Sequence, residues 1–173
     1  MSWINTLHSR LLNAMGAAGL AALLAAIVLS AVYISQYGFG LEPCELCLAQ
    51  RWPWWIALGL GILGFLLRRH PLLAGRMPFL FALVFLAGAG IAGFHVGVEQ
   101  GWWQGPTACS QLGGDAAMTL DELRNMVMSR VRTVPCDQPA AIILGLSMAA
   151  WNMLISAAAA VYFLLLGLRG MRA

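Results

Sequence analysis

The sequence predicts an all-α membrane protein, a bundle of four transmembrane helices with a short amphipathic helix in its second outer loop. Hydrophobic residues make up 61% of the 173 residues and charged residues only 10%, against about 25% charged residues in soluble domains. Four apolar runs reach the roughly 20 residues that a helix needs to cross a bilayer, and they cover about 14–37, 47–67, 77–98 and 140–168. We expect one membrane domain over residues 1–173.

The first apolar run follows Arg10 and is rich in Ala and Leu, which is also typical of a cleaved signal peptide. Its length exceeds the 7–15 apolar residues of a signal peptide. Tyr33 and Tyr37 stand at its far end, where interfacial tyrosines anchor membrane helices. A retained first span is therefore expected.

A C-x-x-C motif, Cys44 and Cys47, leads directly from the first outer loop, about 38–46, into the second run. At a helix start the two sulfurs can meet, and the helix dipole favours a thiolate there. Arg51 lies four residues beyond Cys47 and is expected on the same helical face, where it either stabilises the Cys47 thiolate and polarises an oxygen-bearing ligand or simply snorkels to the interface. Pro53 interrupts this helix or confines its regular start to nearby residues.

Glycines in the second run and tryptophans near the ends of the second and third runs are best explained by structural roles. Gly59, Gly61 and Gly64 spell G-x-G-x-x-G, but mid-membrane they favour close helix packing over a dinucleotide site. An outer aromatic belt is predicted from five tryptophans: Trp52, Trp54, Trp55, Trp102 and Trp103.

The third run ends with His95 and Glu99, four residues apart. His95 is either a buried histidine with satisfied hydrogen bonds or a ligand-binding and proton-carrying group. The second outer loop, about 100–139, follows and holds Cys109 and Cys136. Between them, a capping box at 119–122 and apolar residues at helical spacing predict a short helix, either on the membrane surface or packed on the bundle.

Arginines set the expected orientation, since the chain has no lysine. Both termini and the loop after span two carry arginine and no acidic residue. By the positive-inside rule these segments are cytoplasmic, and all four cysteines lie outside. The net charge of +3 follows from these unbalanced arginines, so no nucleic-acid partner is needed to explain it.

The two cysteine pairs leave three readings open: redox-active thiols, structural disulfides and a zinc site. Zinc sites usually combine two closely spaced pairs, whereas Cys109 and Cys136 are far apart in sequence. The expected outer compartment permits disulfides. Redox use is favoured, because C-x-x-C lowers a thiol pKa and promotes exchange.

With these residues in place, the chain resembles the DsbB family of disulfide bond formation proteins along nearly its whole length. The matching segments are P-C-E-L-C at 43–47, Q-R-W-P at 50–53, H-V-G-V-E at 95–99, G-P-T-A-C at 105–109, P-C-D at 135–137 and L-G-L-S-M at 144–148.

This resemblance implies a bacterial inner-membrane enzyme with its cysteine loops in the periplasm. Such an enzyme reoxidises a periplasmic thioredoxin-fold oxidase, DsbA or a relative, and passes the electrons to ubiquinone or menaquinone. It also implies two redox-active disulfides, Cys44–Cys47 and Cys109–Cys136. Cys109 would take the partner's attack and Cys136 would release it, Cys44 would exchange with the loop pair, and Cys47 would face the quinone.

Arg51, His95 and Glu99 would complete the quinone site by the same resemblance, and no metal is implied. Two alternatives remain. Enzymes similar to vitamin K epoxide reductase share the plan but carry C-x-x-C late in the chain. A non-enzymatic membrane scaffold would use both disulfides as staples.

Overall fold

The computed structural model describes residues 2–67, 76–106, 124 and 135–172, and it forms an almost entirely helical bundle. Its helices are α1 (Ser2–Gly38), α2 (Glu45–Ala49), α3 (Trp52–Leu66), α4 (Met77–Glu99) and α5 (Met148–Arg172), with strands β1 (Ile142–Ile143) and β2 (Leu146–Ser147) before α5. The closest neighbours are α4 with α5 and α1 with α3, and contacts between α3 and α4 join the two pairs.

Three helical segments of the described chain are long and apolar enough to cross a membrane: Gly16–Gly38, Met77–Glu99 and Met148–Met171. They agree with the first, third and fourth predicted spans in place, and they confirm a helical multi-pass membrane protein. Among the described residues, three of the four predicted spans thus have a helix long enough to cross a membrane, and the second predicted span is occupied by a shorter helix pair.

The second predicted span, 47–67, is divided into α2 and α3 by a turn at Gln50 and Arg51. Pro53 stands at the start of α3. Its ring nitrogen has no hydrogen to give to a carbonyl of the preceding turn, so the helical hydrogen bonds are interrupted there and a new helix begins. The 15 residues of α3 extend about 22 Å at 1.5 Å per residue, short of the roughly 30 Å of a hydrocarbon core.

The fourth predicted span begins too early at 140, because residues 142–147 form a β-hairpin. Ile142 pairs with Ser147 and Ile143 with Leu146. Leu144 and Gly145 at the tip have φ of 53° and 81°, as a tight hairpin turn with both central residues at positive φ requires. Helix α5 then starts at Met148, and the Ser147 hydroxyl caps it by accepting the Ala150 N–H at 3.1 Å.

Aromatic rings and alanines form the core between the helices. Phe163 of α5 lies 5.3 Å from Phe81 and 5.5 Å from Phe85 of α4, measured between ring centroids. Trp54 of α3 lies 5.2 Å from Phe85 and is 2% exposed. Trp54 is therefore a core residue, and its assignment to the aromatic belt is wrong, whereas the other four belt tryptophans are exposed.

Helices α1 and α3 approach closely at a glycine. A Cβ placed on Gly61 would lie 2.7 Å from the Cβ of Ala22 and 2.8 Å from the carbonyl oxygen of Ala18. Gly64 is crowded in the same way by Met77, whereas a Cβ on Gly59 would meet no described atom within 4 Å. The packing reading of this motif is confirmed for Gly61 and Gly64 but not for Gly59.

The C-terminal ends of α1 and α4 and the N-terminal ends of α3 and α5 meet at one end of the bundle, together with α2 and the hairpin. The predicted loop helix at 119–131 falls outside the described residues except Arg124, which is helical. Cys109 is also outside them. Cys44, Cys47 and Cys136 all lie at this end.

Candidate functional site

The C-x-x-C pair sits at the start of α2. Cys44 is its N-cap residue, with extended backbone angles, and the Cys44 sulfur accepts the backbone N–H of Cys47 at 3.3 Å. The two sulfurs lie 3.0 Å apart and both belong to free thiols. Cys44 is buried and Cys47 is half-buried. The local turn thus brings the sulfurs together as the spacing predicts.

The negative charge of the reduced pair is held on Cys44. Hydrogen bonding with the Cys47 side chain, with help from His95 and from the Cys47 backbone amide, lowers the pKa of Cys44 to about 4. Burial acts in the opposite direction and raises this pKa, but it is outweighed. One thiolate and one thiol therefore share the site, with the thiol proton on Cys47. The thiolate lies on Cys44 and not on Cys47, where the sequence predicts it, because the shared hydrogen bond raises the pKa of Cys47.

Cys136 brings the second cysteine pair to the first. It is fully buried in one cluster with Cys44, Leu46 and Val98, and Cys47 packs against the same cluster. Cys136 is disulfide-bonded. Because its predicted partner Cys109 lies outside the described residues, the Cys109–Cys136 pairing stays a prediction.

His95 and Glu99 reach the cysteines from the last turn of α4. The His95 Nε2 atom lies 3.7 Å from the Cys44 sulfur and 3.9 Å from the Glu99 Oε1 atom. Ser147, the cap of α5, donates its hydroxyl to the other carboxylate oxygen of Glu99. Both predicted residues thus belong to the site, and Glu99 also ties α4 to the start of α5.

A chain of polar side chains continues from His95 into the bundle. Gln50 Nε2 contacts His95 Nδ1 at 2.5 Å, and Gln50 Oε1 accepts the Asn152 Nδ2 amide at 2.6 Å. The Asn152 Oδ1 atom accepts the indole N–H of Trp54 at 2.9 Å. Sequence reasoning missed this chain, although polar residues inside apolar runs, such as Gln50 and Asn152, are the signal that marks functional positions in membranes.

A cavity of about 420 Å³ opens beside these groups, between α1 and the first turns of α5. Its walls are mostly apolar, from residues such as Ile27, Val32 and Ile155, whereas Cys44, Cys47 and His95 line its polar end. Small-molecule sites in proteins commonly measure 300–1,000 Å³ and combine an apolar wall with a few polar groups. The cavity has both properties.

Arg51 and Gln36 also line this cavity. The Arg51 guanidinium carbon lies 5.0 Å from the centroid of the Tyr33 ring, a cation–π contact. Within the part of the chain that the structure describes, Arg51 Nε and Gln36 Oε1 are buried without a hydrogen-bond partner. An unpaired donor and an unpaired acceptor beside one cavity favour a ligand that both accepts and donates hydrogen bonds.

The sulfurs of Cys44 and Cys47 and a ring nitrogen of His95 lie within 4.8 Å of one another, a spacing open to a metal ion. Metal-binding histidines usually donate their second N–H to a carbonyl or carboxylate. Here the second ring nitrogen of His95 faces the amide nitrogen of Gln50 instead. The surroundings of His95 therefore do not favour metal binding.

Comparison with known proteins adds the family. The profile described as "Disulfide bond formation protein DsbB" matches residues 14–166, which include every site residue named above. The chain belongs to the DsbB family. Its predicted resemblance is thereby confirmed, and disulfide bond formation in a membrane is the general activity of this family.

Two relatives of this DsbB-family chain cover about three quarters of it. "Disulfide bond formation protein B" of Dechloromonas aromatica (strain RCB) is 32% identical over 139 residues, which are 77% of this chain and 79% of that protein. An uncharacterised protein of Rickettsia prowazekii (strain Madrid E) is 28% identical over 131 residues, 75% of this chain and 74% of that protein. No solved structure matches the chain.

Of the seven residues predicted for the DsbB site, the structure gathers six at one end of the bundle: Cys44, Cys47, Arg51, His95, Glu99 and Cys136. The seventh, Cys109, is outside the described residues. Gln36, Gln50, Trp54, Asn152 and Ser147 complete the surroundings of the site and were not predicted.

Proposed function

We propose that this DsbB-family protein is a quinone-linked thiol oxidase that reoxidises a periplasmic thioredoxin-fold partner similar to DsbA. The observation that supports it most is the placement of Cys136. This disulfide-bonded cysteine shares one buried cluster with the free pair Cys44 and Cys47, and that pair lines an apolar cavity. Electrons could thus pass from the loop to the cavity by thiol exchange alone.

The proposed route begins at the loop. Two thiols of the partner become a disulfide as the Cys109–Cys136 disulfide is reduced, with Cys109 taking the partner's attack and Cys136 releasing it. The loop thiols are then reoxidised to a disulfide as Cys44 and Cys47 are reduced to a thiolate and a thiol. The placement of Cys136 in one buried cluster with Cys44 supports this exchange between the pairs.

Cys44 and Cys47 would return to a disulfide by giving two electrons and the proton of the Cys47 thiol to a quinone held in the cavity, and the second proton of the quinol would come from the outer water. A terminal acceptor of this kind is needed because a DsbA-like partner is itself a strong oxidant, at about −120 mV. Arg51, through its unpaired Nε–H, and Gln36 would hold the polar groups of the ring, and the apolar wall would hold the rest. Cys47 stays on the cavity side of the pair in this assignment.

A bacterial inner membrane with the cysteines in the periplasm suits this chemistry. Arg76 and Arg169 lie at the end of the bundle away from the cysteines, as the positive-inside rule requires of a cytoplasmic end. The periplasm is oxidising, so disulfides persist there.

The deciding experiment mixes the purified protein in detergent with a reduced thioredoxin-fold oxidase and a short-chain ubiquinone, with a menaquinone analogue in parallel. We expect quinone reduction and partner oxidation in equal amounts, followed by absorbance and by gel shift after alkylation. Cys47→Ser should abolish quinone reduction. A scaffold with two stapling disulfides would oxidise no partner with either quinone, and that result would refute the proposal.

A further inference from the structure

The direction of the polar chain is set at its inner end by Trp54. An indole N–H can only donate a hydrogen bond, so the Asn152 atom that faces it must be the amide oxygen. Ser156, whose hydroxyl lies 3.5 Å from the same oxygen, is consistent with this orientation. The Asn152 amide nitrogen must then point the other way, toward Gln50.

The same reasoning carries through Gln50 to His95. The Gln50 oxygen accepts from Asn152, so its amide nitrogen, a donor, faces His95 Nδ1. A neutral imidazole carries one N–H, and the nitrogen that accepts a hydrogen bond is the one without it. The ring proton therefore belongs on Nε2, the atom that lies 3.7 Å from the Cys44 sulfur.

We propose that Gln50 and Asn152 are positioning residues that keep the His95 proton on Nε2, so that His95 donates a hydrogen bond to the Cys44 sulfur. Trp54 fixes the orientation of the Asn152 amide, from which the other hydrogen-bond directions follow. The tautomer follows from the hydrogen-bond directions alone, whereas its use in electron transfer rests on the proposed function. With Nε2–H facing it, the reduced pair holds its charge on Cys44 rather than on Cys47.

The Cys44 sulfur and the Glu99 carboxylate, which lie nearest to Nε2, both accept hydrogen bonds, and this agrees with a donor at Nε2. The titratable groups that face the ring are Cys44 and Cys47 from the C-x-x-C segment and Glu99 from its own helix. The backbone of Cys136 also lies in hydrogen-bonding reach of the ring. The uncharged Asn152 of α5 reaches the ring by way of Gln50, and Ser147 of β2 reaches it by way of Glu99.

The first measurement is nitrogen NMR of the protein in detergent, labelled with ¹⁵N-histidine, with Cys44 and Cys47 reduced and neither quinone nor partner present. The chain has three histidines, so His95→Ala identifies the resonances of His95. We expect a protonated Nε2 and an unprotonated Nδ1. In Gln50→Met and Asn152→Leu the Nδ1–H form should gain population, because nothing then directs a donor at Nδ1.

The second measurement is the alkylation rate of Cys44 against pH in the same variants, followed on the peptide that contains Cys44, with Cys47→Ser present so that this peptide carries one thiol. Loss of the directed Nε2–H should reduce the thiolate fraction, slowing alkylation about tenfold at acidic pH for each unit by which the thiol pKa rises. Ser156→Ala is the matched control, since it removes a buried hydroxyl beside Asn152 but leaves the chain unbroken. It should change neither the tautomer nor the rate.

An Nδ1–H tautomer in the unsubstituted protein would overturn the proposal, and this outcome requires no variant to fold. So would unchanged alkylation in a variant whose tautomer has shifted. Because Gln50→Met and Asn152→Leu break the chain at different links, either one suffices if the other does not fold. Both readouts omit quinone and partner, so a failed oxidase assay would leave this result standing, and the reverse also holds.

Discussion

At the scale of single residues, the site depends on which side chains are charged and which are unpaired. Cys44 combines an N-cap position, a neighbouring thiol and His95, and these lower its pKa to about 4. Arg51 carries a positive charge instead. Its guanidinium lies over the Tyr33 ring, and its Nε–H has no hydrogen-bond partner among the described residues. Each residue leads to one measurement.

The thiolate of Cys44 should persist far into the acidic range. A thiol of ordinary pKa near 9 reacts about tenfold more slowly for each pH unit below that value, because only the thiolate is nucleophilic. With a pKa of about 4, alkylation of Cys44 should be nearly constant from neutral pH down to about 5, reach half its rate at about pH 4 and fall steeply below it. Peptide mapping separates Cys44 from Cys47. A steady decline from pH 9 downward would contradict the assignment.

Replacing Arg51 should weaken binding of quinone and spare thiol exchange. Loss of one hydrogen bond from a charged group, about 1.5–3 kcal/mol, predicts that Arg51→Ala raises the KM for quinone at least about tenfold at unchanged rates of exchange with the partner. Tyr33→Phe keeps the ring under the guanidinium and serves as control. Equal KM values in all three proteins would make Arg51 an interfacial anchor only.

At the scale of elements, the long helices were the predictable part. Two apolar runs gave the first and third spans nearly to the residue, because a long apolar stretch has few other places to go. The break at Gln50 and Arg51 was left open, since Pro53 ends one helix or starts another equally well. The hairpin was missed because the segment from Ile142 to Leu146 is apolar throughout. Its turn also requires Leu144 at positive φ, which the sequence does not indicate.

The candidate site also has a part that the sequence predicts and a part that it does not. Cys44, Cys47 and Arg51 are close in sequence, so spacing alone placed them together. The chain from Trp54 to His95 joins residues 45 to 102 positions apart, and only the packed bundle brings them into contact. Gln36 was hidden because a polar residue at the end of an apolar run resembles an interfacial one.

The contact of α1 with α3 should tolerate no side chain at Gly61. An added methyl group would meet Ala22 and the Ala18 carbonyl, and overpacking of this kind costs about 1–3 kcal/mol. Gly61→Ala should therefore lower the thermal midpoint in detergent. Gly59→Ala is the matched control, since its methyl group would meet no described atom within 4 Å and Ala favours helix by about 1 kcal/mol. Equal midpoints would refute the close contact.

At the scale of the whole molecule, function requires that the end of the bundle with the cysteines face the oxidising side. In intact bacteria, after reduction, a membrane-impermeant maleimide should label Cys109 of the second outer loop, and a reporter fused after α5 should be accessible only from the cytoplasm. Cys109→Ser should remove this labelling. Labelling that appears only after lysis would reverse the orientation and remove the proposed partner from reach.

Because α1 and α5 leave a gap between them, we expect a ligand to enter the cavity from the lipid phase. The two helices touch at few points, and the cavity between them is lined from Ile27, near the middle of the first span, to the first turns of α5. For a ligand that enters there, the concentration that sets occupancy is the amount of ligand per lipid and not the amount per litre of suspension. Diluting a suspension of vesicles with buffer should leave occupancy of the cavity unchanged, whereas adding empty lipid that fuses with the same vesicles should lower it.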